Sequence, residues 1–231
     1  MPISNITPPD HTVDLVLCLD MSGGNTFLEQ LEDSFCDLFD KLKYELMQCR
    51  SFELEQLRVR FVFFKDYTYD YDPMVHTPFF VLPEQTDEVL DFISKIHPCG
   101  GGDLPDCAFE GLAYAVRSDW TDPNDCHRRV ICLATDTIAK PLGECRTGSW
   151  GYVNKAYPAD MPNSVEDILS EWGDWPRPGI NRIMLFAPDK ECWAPLLRWD
   201  GVYLYQVPLV WGNGGREVEF VNMLIDLIAN T

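Results

Sequence analysis

Short apolar runs alternate along the chain with longer segments whose apolar residues recur every three or four positions. The nearly continuous runs are typical of strands buried on both faces of a sheet, and the spaced segments are typical of amphipathic helices. The predicted strands are residues 13–19, 57–64, 79–82, 129–134, 183–186 and 202–207. The predicted helices are residues 27–49, 86–96, 106–118, 164–172 and 217–229. This alternation predicts an α/β fold with a doubly wound, mostly parallel central sheet and helices on both faces.

The length of 231 residues suits a single domain covering residues 1–231. Residues 140–180 are rich in Pro, Gly, Trp and Tyr, so we interpret them as an insertion or a long connection within that domain. Apolar residues make up 46% of the chain, enough to bury a substantial core. This composition excludes a disordered acidic tail.

The chain is strongly acidic, with 18 Lys and Arg against 37 Asp and Glu and a formal net charge of −19. Such a charge repels phosphate backbones and anionic lipids, and no Lys/Arg run offsets it. We therefore expect neither nucleic acid nor a membrane as a partner. Nine scattered cysteines indicate a reducing compartment, and residues 1–12 lack the features of a secretion signal. These features predict a cytoplasmic location.

Candidate metal ligands follow the predicted strands. Asp20 and Asp136 lie at the carboxyl ends of two apolar runs, and Ser22 and Asp103 lie in loops of the same kind. Carboxyl ends of strands that meet at a switch in strand order form a crevice in such sheets. Carboxylate and hydroxyl oxygens favour a hard cation, so the pattern predicts Mg²⁺, with Mn²⁺ also suitable and Ca²⁺ less so.

These residues resemble motifs of the von Willebrand factor type A domain. Residues 20–24 (DMSGG) are similar to its D-x-S-x-S motif, and residues 100–106 (GGGDLPD) resemble its G-G-G-D-x-P-E variant. Residues 135–137 (TDT) are similar to its T-D-G motif, and residues 65–67 (KDY) to the R-D-Y of hemicentin-like and alpha-kinase-linked members. The resemblance covers essentially the whole chain.

The resemblance implies a Rossmann-like topology and a metal-ion-dependent adhesion site. Its implied metal ligands are Asp20, Ser22, Asp103 and Asp136, and its possible accessory residues are Gly24, Asn25, Thr26 and Asp66. Gly24 stands where the family has a second serine, so a water molecule or a neighbouring side chain would fill that position. The implied function is metal-dependent binding of a protein partner within an intracellular assembly, without catalysis. The partner would complete the site with a carboxylate or present a basic surface.

Other interpretations of the same residues stay open. Asp20 resembles the nucleophile of a haloacid-dehalogenase-like, Mg²⁺-dependent phosphohydrolase, although Ser22 occupies the place of the general acid. The chain is alternatively a metal-free scaffold, with Asp103 as a helix N-cap. The cysteines lack a C-x₂-C pair, so their spacing does not favour zinc.

Overall fold

The computed structural model describes residues 10–23, 44, 53–100, 105–121, 127–147, 154–173, 181–188, 191–206, 222–224 and 228. Its strands are β1 (Asp10–Asp20), β2 (Glu53–Phe64), β3 (Met74–His76), β4 (Phe80–Leu82), β5 (His127–Ala134), β6 (Asn181–Ala187) and β7 (Val202–Gln206). Its longer helices are α1 (Thr86–Ile93), α2 (Ala108–Val116) and α3 (Val165–Gly173). Short 3₁₀ helices cover Glu144–Arg146, Glu191–Trp193 and Leu196–Arg198.

The strands form one mixed, mostly parallel sheet in the order β3-β2-β1-β5-β6-β7, with β4 also pairing with β2. Strands β1, β2, β5, β6 and β7 are parallel, whereas β3 and β4 run antiparallel to β2. The chain passes from β1 to β2 on one side and later to β5 on the other, so the strand order switches at β1. This switch places a crevice at the carboxyl ends of β1 and β5.

Strand β1 is apolar on both of its faces because both faces are covered. Leu15 and Leu17 pack in one cluster with Val89 of α1, and Val16 and Cys18 pack in a second cluster with residues of α2 and α3. The predicted α/β class and mostly parallel sheet are therefore confirmed. The predicted helix at 27–49 lies outside the described residues except for Tyr44, and only residues 222–224 and 228 of the predicted last helix are described.

Local tertiary contacts shift some predicted boundaries. Helix α2 begins at Ala108 instead of residue 106 because Asp106 forms a parallel bridge with Ala139 and its carbonyl accepts the Lys140 N–H at 2.8 Å. Strand β3 was not predicted, since three residues are too few for a periodic signal. Ser164 caps the start of α3, because its Oγ accepts the Asp167 N–H at 3.1 Å.

Candidate functional site

Asp20 ends β1 in the crevice and is almost fully buried, with 1% of its surface exposed. The Ser22 N–H donates to Asp20 Oδ1 at 2.9 Å, and the Thr135 hydroxyl donates to Asp20 Oδ2 at 2.7 Å. The Thr135 hydroxyl in turn accepts the Thr137 N–H at 3.1 Å. Burial raises the pKa of Asp20 despite these donors. Strands β1 and β5 pair in parallel up to Leu19 and Ala134, so Asp20 and Thr135 lie side by side at the strand ends.

Asp106 is the residue of this site that the sequence analysis missed, because it was assigned to the first turn of a helix. Its side chain is fully buried, and neither carboxylate oxygen has a hydrogen-bond partner among the described residues. The Ser22 hydroxyl lies near enough to lower the pKa of Asp106, but burial and the charges of Asp20 and Asp66 raise it to about 8. A buried carboxyl group with no donor nearer than one hydroxyl is costly unless it stays protonated or meets a cation.

Asp136 lies one residue beyond Thr135 and is partly exposed. Burial and the charge of Asp20 raise the pKa of Asp136 to about 6. Three carboxyl groups, Asp20, Asp106 and Asp136, therefore share one electrostatic environment at the strand ends. We call these three residues, together with Ser22, the carboxylate site. Asp20, Ser22 and Asp136 were predicted from the sequence.

The predicted ligand Asp103 and the possible accessory residues Gly24, Asn25 and Thr26 lie outside the described residues. The start of the glycine run is described and borders the carboxylate site. The Gly23 N–H donates to the Gly100 carbonyl at 2.9 Å, and the Cys99 N–H donates to the Met21 carbonyl at 3.1 Å. Gly100 has φ of 86°, a left-handed conformation that favours glycine. Cys99 and Gly100 therefore lie alongside the loop that carries Ser22.

Asp66, the other possible accessory residue, belongs to a neighbouring cluster. Its carboxylate forms an ion pair with Lys140, accepts the Thr68 N–H at 2.7 Å and lies near the thiols of Cys107 and Cys145. The charge of Asp66 contributes to the raised pKa of Asp106, so the two clusters are close together. With Lys140 as its counter-ion, Asp66 needs no metal to balance its charge.

The chemistry of the carboxylate site suits a hard divalent cation. Its donors are carboxylate and hydroxyl oxygens, and the unpartnered oxygens of Asp106 offer positions that a cation would occupy. Asp20, Ser22, Asp106 and Asp136 are the residues that would hold the ion, but among the described residues the three carboxylates do not each bring an oxygen within 4.8 Å of the others. Water would therefore bridge at least one of them to the ion and complete its coordination. Mg²⁺ and Mn²⁺ fit this small number of protein ligands better than Ca²⁺.

Among the described residues, no helix has the length and apolar character needed to cross a membrane. No family model and no curated protein matches the chain.

Solved structures do match, at low identity. The pilus adhesin SpaC from Lactobacillus rhamnosus GG matches with 14% identity and a TM-score of 0.55, over 98% of this chain and 31% of the adhesin. Proximal thread matrix protein 1 from the mussel byssus matches with 10% identity and a TM-score of 0.51, over 96% of this chain and 49% of that protein. The minor pilin PilB from Streptococcus sanguinis matches with 12% identity and a TM-score of 0.51, over 99% of this chain and 63% of the pilin. The chain thus spans less than two thirds of each, and the likeness shows the fold alone.

These comparisons overturn the identification with the von Willebrand A family. The matching structures are described as pilus adhesins, a minor pilin and a thread matrix protein, and no family model supports the resemblance. The named adhesion site was implied by that family, so this assignment is corrected as well. Short Asp- and Gly-rich motifs mislead here because ligand-binding loops follow strand ends in many α/β folds. The carboxylate site itself depends only on the geometry described above.

Proposed function

We propose that the chain binds one divalent cation, Mg²⁺ or Mn²⁺, at Asp20, Ser22, Asp106 and Asp136, and that the cation-bearing face binds a protein partner. The observation that carries the proposal is the buried, unpartnered carboxyl group of Asp106 beside Asp20. A cation would replace the proton that Asp106 otherwise retains and would offset the repulsion among the three carboxylates.

The surroundings of the carboxylate site favour a partner with basic and apolar groups. Three ionised carboxylates and one divalent cation leave a net charge of −1, so an additional carboxylate from a partner is disfavoured. Tyr69 and Tyr71, in the loop that follows β2, are 55% and 95% exposed. Asp70 of that loop lies against Gly100, which contacts Gly23. This loop therefore borders the site and offers aromatic and acidic groups to a basic surface.

Titration calorimetry with Mg²⁺, Mn²⁺ and Ca²⁺ tests the cation site. We expect saturable binding of about one Mg²⁺ or Mn²⁺ per chain in the wild type and in the exposed control Asp200→Asn. Asp20→Ala, Asp106→Asn and Asp136→Ala should each weaken binding at least tenfold. Asp103→Ala, measured in parallel, determines whether that residue is a further ligand. Absence of saturable binding in the wild type, or binding unchanged by Asp20→Ala, would refute the proposal.

Partner binding needs a separate test, because a cation can bind without recruiting a protein. Wild-type and Asp20→Ala proteins are immobilised and exposed to the same extract with Mg²⁺ or with EDTA. The proposal requires a protein that is retained only by the wild type and only with Mg²⁺. It also requires Tyr71→Ser to reduce that retention while leaving cation affinity unchanged.

A Mg²⁺-dependent phosphohydrolase is the second candidate, and one observation favours it. Asp106 retains its proton near neutral pH beside Asp20, as a general acid beside a nucleophile would. The deep burial of Asp20, with both oxygens hydrogen-bonded, opposes this role. Turnover of a generic phosphate ester with Mg²⁺, abolished by Asp20→Asn, would favour the enzyme over the binding module.

Two broader sequence predictions stay proposals. One is that the complete chain is doubly wound, with the helix predicted at 27–49 covering the sheet. The other is a cytoplasmic location, which the scattered cysteines favour.

A further inference from the structure

Two buried thiols lie next to each other beside the carboxylate site. Cys107 immediately precedes α2, and Cys145 lies in the 3₁₀ helix Glu144–Arg146. Their Sγ atoms are 3.2 Å apart, and 0% and 1% of their surfaces are exposed. A disulfide bond is about 2.05 Å long, so the sulfurs need to approach by only about 1.1 Å to bond.

Hydrogen bonds hold both sulfurs in this arrangement. The Tyr67 N–H donates to Cys107 Sγ at 3.5 Å, and the Thr68 hydroxyl donates to Cys145 Sγ at 3.3 Å. Asp66 Oδ1 lies 3.8 Å from Cys107 Sγ and 3.5 Å from Cys145 Sγ, so it accepts from either thiol. Both thiols are thus fixed from the same short segment after β2, and little side-chain freedom remains to be lost when a bond forms.

We propose that Cys107 and Cys145 are a dithiol that a peroxide converts to an intramolecular disulfide. Hydrogen peroxide oxidises one thiol to a sulfenic acid and releases one water molecule. The second sulfur attacks the sulfenic sulfur, the S–S bond forms, and the hydroxyl group leaves with the remaining thiol proton as a second water molecule. Two S–H bonds and the O–O bond are broken, and two electrons pass from the sulfurs to the peroxide.

The cross-link would join the start of α2 to residues 144–146 across a separation of 38 residues. Closing a loop of this length restricts the unfolded chain, so the oxidised protein should unfold at a higher temperature. For a chain of this size we expect an increase of roughly 5–10 °C in the midpoint. Because Cys107 follows Asp106 directly, the bond would also restrain the backbone that carries a carboxyl group of the carboxylate site.

The test treats the folded chain of 231 residues with hydrogen peroxide and then blocks remaining thiols with iodoacetamide under denaturing conditions. We expect a peptide pair linked through Cys107 and Cys145, the loss of two alkylation sites, and reversal of both effects by dithiothreitol. Thermal unfolding of oxidised and reduced protein should show the increase in midpoint. Cys107→Ser and Cys145→Ser should abolish this increase in midpoint, whereas the matched control Cys192→Ser should still show the increase.

Three results would overturn the proposal. The first is a linked peptide that joins other cysteines while Cys107 and Cys145 remain alkylated. The second is oxidation of this pair to sulfinic or sulfonic acids without a cross-link. The third is zinc bound to the purified protein and lost in both variants, since Asp66, Cys107 and Cys145 offer ligand atoms within 4.8 Å of one another. The peptide map of the wild type decides among these results even if a serine variant fails to fold.

Discussion

Without a divalent cation, the protein should become less stable as the pH rises from 5 to 8, and Asp106 should contribute to the loss. The pKa of Asp106 is raised to about 8 in the folded chain, whereas an unfolded aspartate titrates near 3.9. Its proton therefore stabilises the folded state fully below about pH 4, and this contribution is lost as the pH rises through the folded pKa. Asp136, with its pKa raised to about 6, adds to the loss in the same direction, as do Asp20 and Glu110, whose pKa values burial raises.

The magnitude follows from the difference in bound protons. Between pH 5 and pH 8 the folded chain retains a proton on Asp106 that the unfolded chain has released. Each pH unit then lowers the free energy of unfolding by about 1.4 kcal/mol, so three units give about 4 kcal/mol. For a domain of this size, that corresponds to a decrease of roughly 10 °C in the thermal midpoint.

Thermal unfolding followed by circular dichroism, in EDTA and a reductant, measures this dependence at pH 5, 6, 7 and 8. The wild type and the exposed control Asp200→Asn should lose roughly 10 °C over this range. Asp106→Asn removes one titrating group, so its midpoint should fall less steeply with pH than that of the wild type. Added Mg²⁺ at pH 8 should restore the wild-type midpoint and leave Asp106→Asn unchanged.

Two outcomes would refute this reasoning. A wild-type midpoint that is constant or rises between pH 5 and pH 8 would mean that Asp106 ionises without cost and therefore has donors in solution. A decrease in Asp106→Asn as steep as in the wild type would assign the effect to other groups. In either case, a cation would not be needed to stabilise the ionised side chain of Asp106.

Two further variants test the packing around the sheet. Asp14→Ala should lower the free energy of unfolding by about 3–5 kcal/mol in urea denaturation, because it leaves the partly buried Arg58 and the buried His127 without their carboxylate. Gly111→Ala should cost about 1–2 kcal/mol by the same measurement, although alanine favours helices, because the added Cβ would lie 2.8 Å from Phe64 Cδ1. A neutral effect of either change would contradict the corresponding contact.

The strands could be predicted from the sequence because a buried strand needs apolar residues on both faces, as β1 has. The ends of β1 and β5 follow from the same pattern, so Asp20 and Asp136 were found. Asp106 was missed because its position depends on the bridge to Ala139, a tertiary contact across 33 residues that no local pattern records. Cys107 and Cys145 are brought together by the same contact between the start of α2 and the segment after β5. No sequence motif indicates this pair.

Two buried aspartates of β1 show why burial alone does not identify a functional group. Burial alone would raise the pKa of Asp14, but hydrogen bonds from Arg58, His127 and Thr121 hold that pKa well below its usual range. Asp14 is therefore satisfied by the protein itself and stabilises the fold.

Asp20, six residues further along β1, accepts hydrogen bonds from the Ser22 N–H and the Thr135 hydroxyl, and burial nevertheless raises its pKa. Next to it, Asp106 lacks even a hydrogen bond in the described part of the chain. The described part of the fold therefore gives Asp14 the ion pair with Arg58 but gives the Asp106 carboxylate oxygens no hydrogen bond, so burial of Asp106 lowers the stability of the fold. A bound cation would stabilise the folded state by pairing with these carboxylates. The carboxylate site, and not Asp14, is therefore the candidate functional site.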